Sequence, residues 1–482
     1  MPFSLNPLQS ALMEKLPDNN AFEEALDYLY SFINFERRPQ DRYMAAKLDA
    51  SRPLRFMNAL GAPQDTFPSI HIAGTKGKGS VAITTAHCLR AAGYKVGLYT
   101  SPHLQDFRER IRILTPDDAG GRITETAFIQ QIEALKPIIA TFPDVTWFEI
   151  LTAVAFRHFA QEQIDVGVIE VGLGGRLDAT NVVTSLVSII TSLSIDHTRF
   201  LGDTLPQIAA EKAGIIKPGI PVITVAQKPE ATAVLRRIAA EQEAPLGIIG
   251  QNWQYSSGEQ FPQIGEQELI ITRSPDSDFI PNGTVLRLTL SGQYQLENGV
   301  LALAALQTVR PHFPALDLTA VQTGLAHVEW HGRLQILYQG SAGPTLLADC
   351  AHNPDSAQKL CHALTHNYTY DRLWIIFGSA RDKDIRREME LLLPPVTAVI
   401  TTTVNHPRSA TPEELAQMAA DFGKPAYTVA DMDTAVSLAW QQAAPQDLIC
   451  VTGSIYVVGD LLNRWESLQS QLIHNEEQSI VN

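Results

Sequence analysis

Cysteine is scarce in this 482-residue chain: Cys88, Cys350, Cys361 and Cys450 are scattered, with no C-x-x-C spacing. That excludes a disulfide framework and offers no zinc pattern, so the thiols are read as reduced and mostly buried. Basic residues are also under-represented, 37 against 52 acidic ones, leaving a net charge of −15. Broad contact with nucleic acid or an anionic membrane is thereby disfavoured, and any anion site has to be local. No apolar run approaches the ~20 residues that a membrane span needs. The start, Met1-Pro2-Phe3-Ser4-Leu5-Asn6, lacks a basic segment followed by an apolar one, so no secretory signal is read and a cytoplasmic protein is expected. Internal repeats and low-complexity runs are missing too. What is present, 45% hydrophobic and 18% charged residues, describes a globular chain with material for sizeable cores. Its length suits two or three domains, and two is the working number.

One stretch organises the rest: Ser69-Ile70-His71-Ile72-Ala73-Gly74-Thr75-Lys76-Gly77-Lys78-Gly79-Ser80. A β-branched run breaks into glycines and a lysine and then turns helical, which reads as strand, phosphate loop, helix. Glycines let backbone N–H groups turn toward an oxyanion and the helix adds its positive end, so a triphosphate is the natural guest, with Lys78 on its β/γ-phosphates. The fit to G-x-x-x-x-G-K-[ST] is imperfect: Ile72 stands at the first glycine position, and Gly79 separates Lys78 from Ser80. An ordinary glycine-rich turn between strand and helix is the alternative.

Before this stretch, residues 8–60 carry apolar positions at helical spacing, over 21–30 and again over 44–49, a helical preface. After it, Lys95-Val96-Gly97-Leu98-Tyr99-Thr100 completes a βαβ unit with a right-handed crossover. Ligands of parallel sheets gather at the carboxyl ends of strands, so Ser101 of Ser101-Pro102-His103-Leu104 falls where a phosphate-bound Mg²⁺ would lie, or else begins a plain turn. A carboxylate near the end of a buried apolar strand is costly unless it meets a cation. Glu170, ending Asp165-Val166-Gly167-Val168-Ile169-Glu170, is therefore a metal-ligand candidate or a paired structural glutamate. The strand over 186–192 runs into Asp196-His197-Thr198, so His197 also follows a strand end; a metal ligand and a structural Asp–His pair both fit. Lys212, on a helix closed by Gly214 and Pro218, reads by itself as a solvated helical lysine.

Residues 240–297 are less regular and suggest peripheral β structure. A helix over 298–308 and the segment 328–335 precede Tyr338-Gln339-Gly340-Ser341-Ala342-Gly343-Pro344, the best linker candidate. Beyond it, strands near 345–349, 373–377, 397–402, 426–429 and 447–452 alternate with helices near 355–365, 384–392, 412–422, 432–443 and 456–466. The fold class expected is α/β: an N-terminal P-loop mononucleotide-binding ATPase domain over 1–335, a linker over 336–344 and a smaller Rossmann-like α/β domain over 345–482. Four polar loops of the second domain lie at strand ends: Asp349-Cys350-Ala351-His352-Asn353-Pro354, the loop over 378–384, Asn405-His406-Pro407-Arg408, and Thr452-Gly453-Ser454.

In order, Gly74-Thr75-x-Gly77-Lys78-Gly79-Ser80, Ser101-Pro102-His103-Leu104, Glu170-Val171-Gly172-Leu173-Gly174-Gly175-Arg176-Leu177-Asp178-Ala179-Thr180-Asn181, Asp196-His197-Thr198, Glu211-Lys212-Ala213-Gly214, His331-Gly332-Arg333, Ala351-His352-Asn353-Pro354 and Thr452-Gly453-Ser454 resemble the folylpolyglutamate synthase and dihydrofolate synthase family, within the Mur ligase superfamily. The resemblance spans nearly the whole chain. It implies an ATP-dependent amide ligase whose C-terminal domain is the glutamate ligase domain. By position it assigns Thr75, Lys76, Gly77, Lys78, Gly79 and Ser80 to the ATP phosphates, with Lys78, His197 and Lys212 catalytic. Ser101, Glu170 and His197 go to Mg²⁺ at two sites, with K⁺ as a further ion. Lys212 becomes a carbamylated lysine, reversing its reading as a solvated residue. Asn298, Arg333, Asp349 and His352 go to the nucleotide; Thr146, Trp147, Phe148, Glu149, Leu177, Asp178 and Ala179 go to the pterin. Lys76 stands where relatives commonly carry Asn, and Thr198-Arg199-Phe200 departs from the expected form after the Asp-His pair; Lys76 is left open between a phosphate contact and solvent.

The implied substrates are ATP, L-glutamate and either dihydropteroate or a reduced folate, handled by a monomer without nucleic-acid or membrane partners. The run from Gly174 to Asn181 resembles the bifunctional form more than members that only extend folates. Two rivals remain. A cell-wall Mur ligase is expected to carry a UDP-binding domain before the phosphate loop, where only the helical preface is read here. A nucleotide switch without ligase activity leaves the polar strand ends of the second domain unexplained.

Overall fold

The computed structural model describes residues 20–34, 49, 51–340, 343–404, 406 and 408–481. The helix expected over 44–49 falls, except for Asp49, outside them. Seven strands form the first sheet: β1 (Ser69–Ala73), β2 (Val96–Tyr99), β3 (Ile111–Leu114), β4 (Val166–Glu170), β5 (Val187–Ile190), β6 (Val222–Thr224) and β7 (Leu246–Ile248). Their order across the sheet is β3-β2-β4-β1-β5-β6-β7. Only the β2–β3 pair is antiparallel, and the other pairs are parallel. β4 therefore lies between β1 and β2, so the two strands of the expected βαβ unit are not neighbours.

The first sheet is buried on both faces, as near-continuous Val/Ile strands require. Side chains alternate along each strand: Ile70, Ile72, Leu98, Val166, Val168 and Val187 join one core, Tyr99, Ile111 and Ile169 the other. Helices Lys78–Ala91, Gln293–Val309 and Leu318–Ala326 cover the first of these faces. Helices Glu125–Ile139 and Trp147–Gln161 cover the second, together with Ala21–Tyr30 and Arg52–Ala59 of the helical preface. The peripheral β structure expected over 240–297 is a three-stranded antiparallel sheet, β8 (Gln254–Phe261), β9 (Glu266–Arg273) and β10 (Thr284–Leu288). Leu269, Ile271, Leu286 and Leu288 of that small sheet pack into the core around helix Gln293–Val309, which explains why that helix is apolar nearly all round.

The second sheet comprises β11 (Gln335–Tyr338), β12 (Thr345–Ala348), β13 (Leu373–Phe377), β14 (Ala398–Thr401), β15 (Ala426–Thr428) and β16 (Leu448–Thr452), in the order β11-β12-β16-β13-β14-β15. β11 is an antiparallel edge strand beside β12. The first half of the segment expected as linker thus already belongs to this sheet: Ile336 packs on one face and Leu337 on the other, and a shift of register between Ile336 and Tyr338 brings Tyr338 to the same face as Leu337. Helices here begin where short polar side chains cap them: Asn353, Asp384, Thr411 and Asp431 each accept the N–H three residues on. That capping is the reason the alternation of strand and helix is so clear in the sequence of this half.

Candidate active site

The strand order β2-β4-β1-β5 decides what meets at the carboxyl edge of the first sheet. Ser101 follows β2, Glu170 ends β4, the phosphate loop follows β1, and the Asp196-His197 turn follows β5. Neighbouring strands lie about 4.8 Å apart, so Ser101 and Glu170 are adjacent, while His197 stands on the far side of the phosphate loop.

The loop itself is pinned to β5: Thr75 and Lys76 donate their N–H groups to the Ser192 carbonyl at 2.9 and 3.3 Å. Gly77 sits at φ 88°, where a side chain is strained, and a Cβ there would lie 2.3 Å from Asn298 Oδ1. Asn298 in turn donates to Gln295 Oε1 at 2.8 Å, and Gln295 donates to Ser80 Oγ at 3.3 Å. Thr75 through Ser80 and Asn298 are thereby brought together. Gln295 escaped the sequence reading; its position one turn before Asn298 on the same helix was the available signal.

Lys78 Nζ lies 3.7 Å from Glu170 Oε1, and the Ser101 N–H donates to Glu170 Oε2 at 3.1 Å. Glu170 is 4% exposed. Burial raises its pKa, opposed by Lys78, the Ser101 N–H and Arg333. Among the described residues no three His, Cys, Asp or Glu side chains form a metal centre. A buried carboxylate and a serine that line one cavity nevertheless offer hard oxygen donors, the kind that Mg²⁺ takes.

The second cavity of the edge is lined by Gly74, Thr75, Lys78, Gly172, Leu173, Asp196, His197 and Lys212. Lys212 is buried, and its Nζ donates to the Gly74 carbonyl at 2.8 Å. Burial pushes its pKa down to about 7, with Lys78 and Lys76 acting the same way and Asp196 opposing. His197 adopts φ 52°, and its N–H donates to Asp196 Oδ1 at 2.9 Å. Lys76 Nζ does not point to solvent but pairs with Asp196 Oδ2 at 2.8 Å.

From the second domain, the Asp349 carboxylate accepts the N–H groups of Leu334 and Ala351, both at 2.9 Å. Burial raises its pKa against the attraction of Arg333. His352 Nδ1 bonds the Cys350 carbonyl at 2.8 Å, and burial, with Lys76 and Lys383 nearby, keeps its imidazole neutral. Arg333 and Cys350 form one wall of a cavity whose other wall is Gly79, Ser101, His103 and Glu170. Trp330 closes that cavity over Gly79, where a Cβ would meet its ring at 2.7 Å.

The proposed pterin residues divide into two kinds. Trp147 is 2% exposed. Thr146 and Glu149 form a capping box for helix Trp147–Gln161, and Glu149 also pairs with Arg52 at 2.9 Å. Asp178 accepts from Thr180 N and Oγ1 and from Leu173 N, so both its oxygens shape the loop. Ala179 is buried. Phe148 and Leu177 alone of the seven keep accessible side-chain surface, and Phe148 lies against Gly172.

These elements agree with independent likenesses. Residues 72–306 match the Mur ligase middle domain, and residues 332–455 match the Mur ligase, glutamate ligase domain. The dihydrofolate synthase/folylpolyglutamate synthase of Mycobacterium tuberculosis is 33% identical over 475 residues, covering 90% of this chain and 93% of that one. A Haloferax volcanii protein named probable bifunctional folylpolyglutamate synthase/dihydropteroate synthase is 32% identical over 453 residues; 92% of this chain aligns, spanning 50% of that relative's length. Crystal structures of M. tuberculosis folylpolyglutamate synthase complexed with ADP and AMPPCP include a chain that superposes with a TM-score of 0.79 at 31% identity, covering 92% of this chain and 98% of that one. Ordered motifs, two α/β sheets and a phosphate loop facing the second domain thus converge on one conclusion: the chain belongs to the folylpolyglutamate synthase/dihydrofolate synthase family of the Mur ligase superfamily.

Proposed function

We propose that the chain is an ATP-dependent ligase that adds L-glutamate to dihydropteroate and to reduced folates. The observation that carries this reading is the Lys78–Glu170 contact at 3.7 Å, set between two cavities at the carboxyl edge of the first sheet. A carboxylate of the pterin substrate attacks the γ-phosphorus of ATP; the bond to the bridging oxygen breaks and ADP leaves, giving an acyl phosphate. The glutamate amine then attacks the acyl carbon, phosphate leaves, the nitrogen loses a proton and the amide is formed. Negative charge accumulates in both steps, and Lys78 and the N–H groups of the phosphate loop are placed to stabilise it without moving. Closure by the second domain excludes water from the acyl phosphate. Asn298, Arg333, Asp349 and His352 hold the nucleotide between the domains.

Mg²⁺, when bound, supplies charge neutralisation for the transferred phosphoryl group. Ser101, Glu170 and His197 would be the residues that hold Mg²⁺, since each follows or ends a strand at the same carboxyl edge of the sheet. We read Lys212 as carbamylated: a lysine with a pKa of about 7 is substantially neutral at physiological pH, as capture of CO₂ requires. Its nitrogen adds to CO₂ and loses a proton, and the one remaining N–H keeps the Gly74 carbonyl as partner. The pterin lies against Phe148 and Leu177, while Thr146, Trp147, Glu149, Asp178 and Ala179 hold the pocket in shape. Incubation with ATP, Mg²⁺, glutamate and either dihydropteroate or tetrahydrofolate tests the reading: both give glutamylated product and ADP. Product from tetrahydrofolate alone reduces it to tail extension, and product from neither overturns it.

A further inference from the structure

Lys76 and Asp196 belong to different loops of the first domain, and their contact reaches a third. Lys76 Nζ pairs with Asp196 Oδ2 at 2.8 Å, with both side chains less than one-fifth exposed. The backbone of Lys76 is fixed independently of that pair: its N–H donates to Ser192 O, and its carbonyl accepts from Ser192 Oγ at 3.3 Å. The ammonium is therefore aimed by a rigid loop. Asp196 uses its other oxygen, Oδ1, to accept the N–H of His197, whose φ of 52° is a left-handed conformation that an L-residue adopts at a cost. In the second domain, Asn353 Oδ1 accepts the Ser356 N–H as a helix cap, which orients the amide so that Nδ2 faces Asp196 Oδ2 at 3.5 Å. One carboxylate thus touches the phosphate loop, the His197 turn and the start of helix Pro354–Asn367.

We propose that Lys76 is a positioning residue: by anchoring Asp196 to the phosphate loop, it sets the His197 turn and docks the second domain through Asn353. This deepens the ligase reading and rests on it for its kinetic consequence, though not for its structural one. Lys76 then acts on the chemical step and not on nucleotide affinity, because its charge is already engaged by Asp196. A partly buried ion pair of this kind is better suited to specifying one arrangement than to adding net stability.

Two measurements test it. Amide hydrogen exchange in the ligand-free protein reports the turn directly, whatever the reaction proves to be. In Lys76→Gln, exchange over 196–202 speeds up about tenfold, whereas Lys76→Arg, which keeps the ion pair, exchanges like the wild type. Asp196→Asn has the same effect, and combining it with Lys76→Gln adds little, as expected for two partners of one contact. Kinetics supply the second readout: Lys76→Gln lowers kcat about tenfold while the Kd of a non-hydrolysable ATP analogue stays within twofold. Asn353→Asp preserves the helix cap but sets a carboxylate against Asp196, and lowers kcat likewise. Unchanged exchange in Lys76→Gln and Asp196→Asn overturns the anchoring role. Normal kcat with nucleotide affinity weakened tenfold shows Lys76 to be a phosphate ligand instead. A wild type without ligase activity refutes the ligase reading, and the exchange result then still decides the anchor.

Discussion

Lys212 shows how far one side chain's environment can depart from its sequence context. On a helix it looks like any solvated lysine, yet burial brings its pKa from 10.5 down to about 7. The unfolded chain binds more protons than the folded one between those values. Stability of the uncarbamylated protein therefore rises with pH through that window, and the full penalty is present below about pH 7. Lys212→Met should flatten the dependence of the urea midpoint between pH 7 and 10 while abolishing ligation. Carbamylation adds a second expectation: enzyme stripped of CO₂ is slow to turn over, and added bicarbonate restores it. A bicarbonate-independent wild type would rule the carbamate out. Gly77 gives a further residue-scale case. Its left-handed φ and the 2.3 Å approach to Asn298 mean that Gly77→Ala must shift the loop. At about 1–2 kcal/mol of left-handed strain, nucleotide affinity measured by calorimetry falls roughly tenfold.

At the scale of elements, helix Trp147–Gln161 joins the fold to the proposed pterin pocket. Its start is held by the Thr146–Glu149 capping box and by the buried Arg52–Glu149 pair, and its first turn presents Phe148 toward Gly172. Glu149→Ala removes both the bond to Arg52 and half of the capping box, and should cost about 2 kcal/mol in denaturant unfolding. Phe148→Ala should do the opposite in kind: it leaves that start intact and raises the KM for dihydropteroate more than the KM for ATP. Equal effects on both KM values would mean that Phe148 is packing only. The loop from Gly172 to Asn181 is built by Asp178 accepting from Leu173 behind it and Thr180 ahead of it, and Leu177 stays half-buried between them.

For the whole molecule, the site is a seam between two α/β units. Gln105 of the first domain donates to Asn463 of the second at 3.1 Å, and a Cβ on Gly459 would collide with the Leu104 carbonyl at 2.2 Å. If the nucleotide is held from both sides of the seam as proposed, it favours closure, so small-angle scattering should show compaction when a non-hydrolysable ATP analogue and dihydropteroate are present together. No change in the radius of gyration would count against bridging of the domains by ATP. Among the described residues no helix is long and apolar enough to cross a membrane.

Much of this was legible before any coordinates. Strand, glycines and lysine in sequence identify a phosphate loop because the chemistry is local: each residue's role depends on its immediate neighbours. The second domain was readable strand by strand because its helices are capped by Asn353, Asp384, Thr411 and Asp431 at their own starts. Strand-end positions also marked Ser101, Glu170 and His197 as candidates. What the sequence could not determine is who stands beside whom. The placement of β4 between β1 and β2 sets Glu170 next to Ser101 and Lys78, and nothing local to any of these strands specifies that order. Lys212 is buried against a carbonyl 138 residues away in the chain, and that burial lowers its pKa, while Lys76 meets Asp196 across 120. Those properties come from burial and proximity, which only the packed sheet creates.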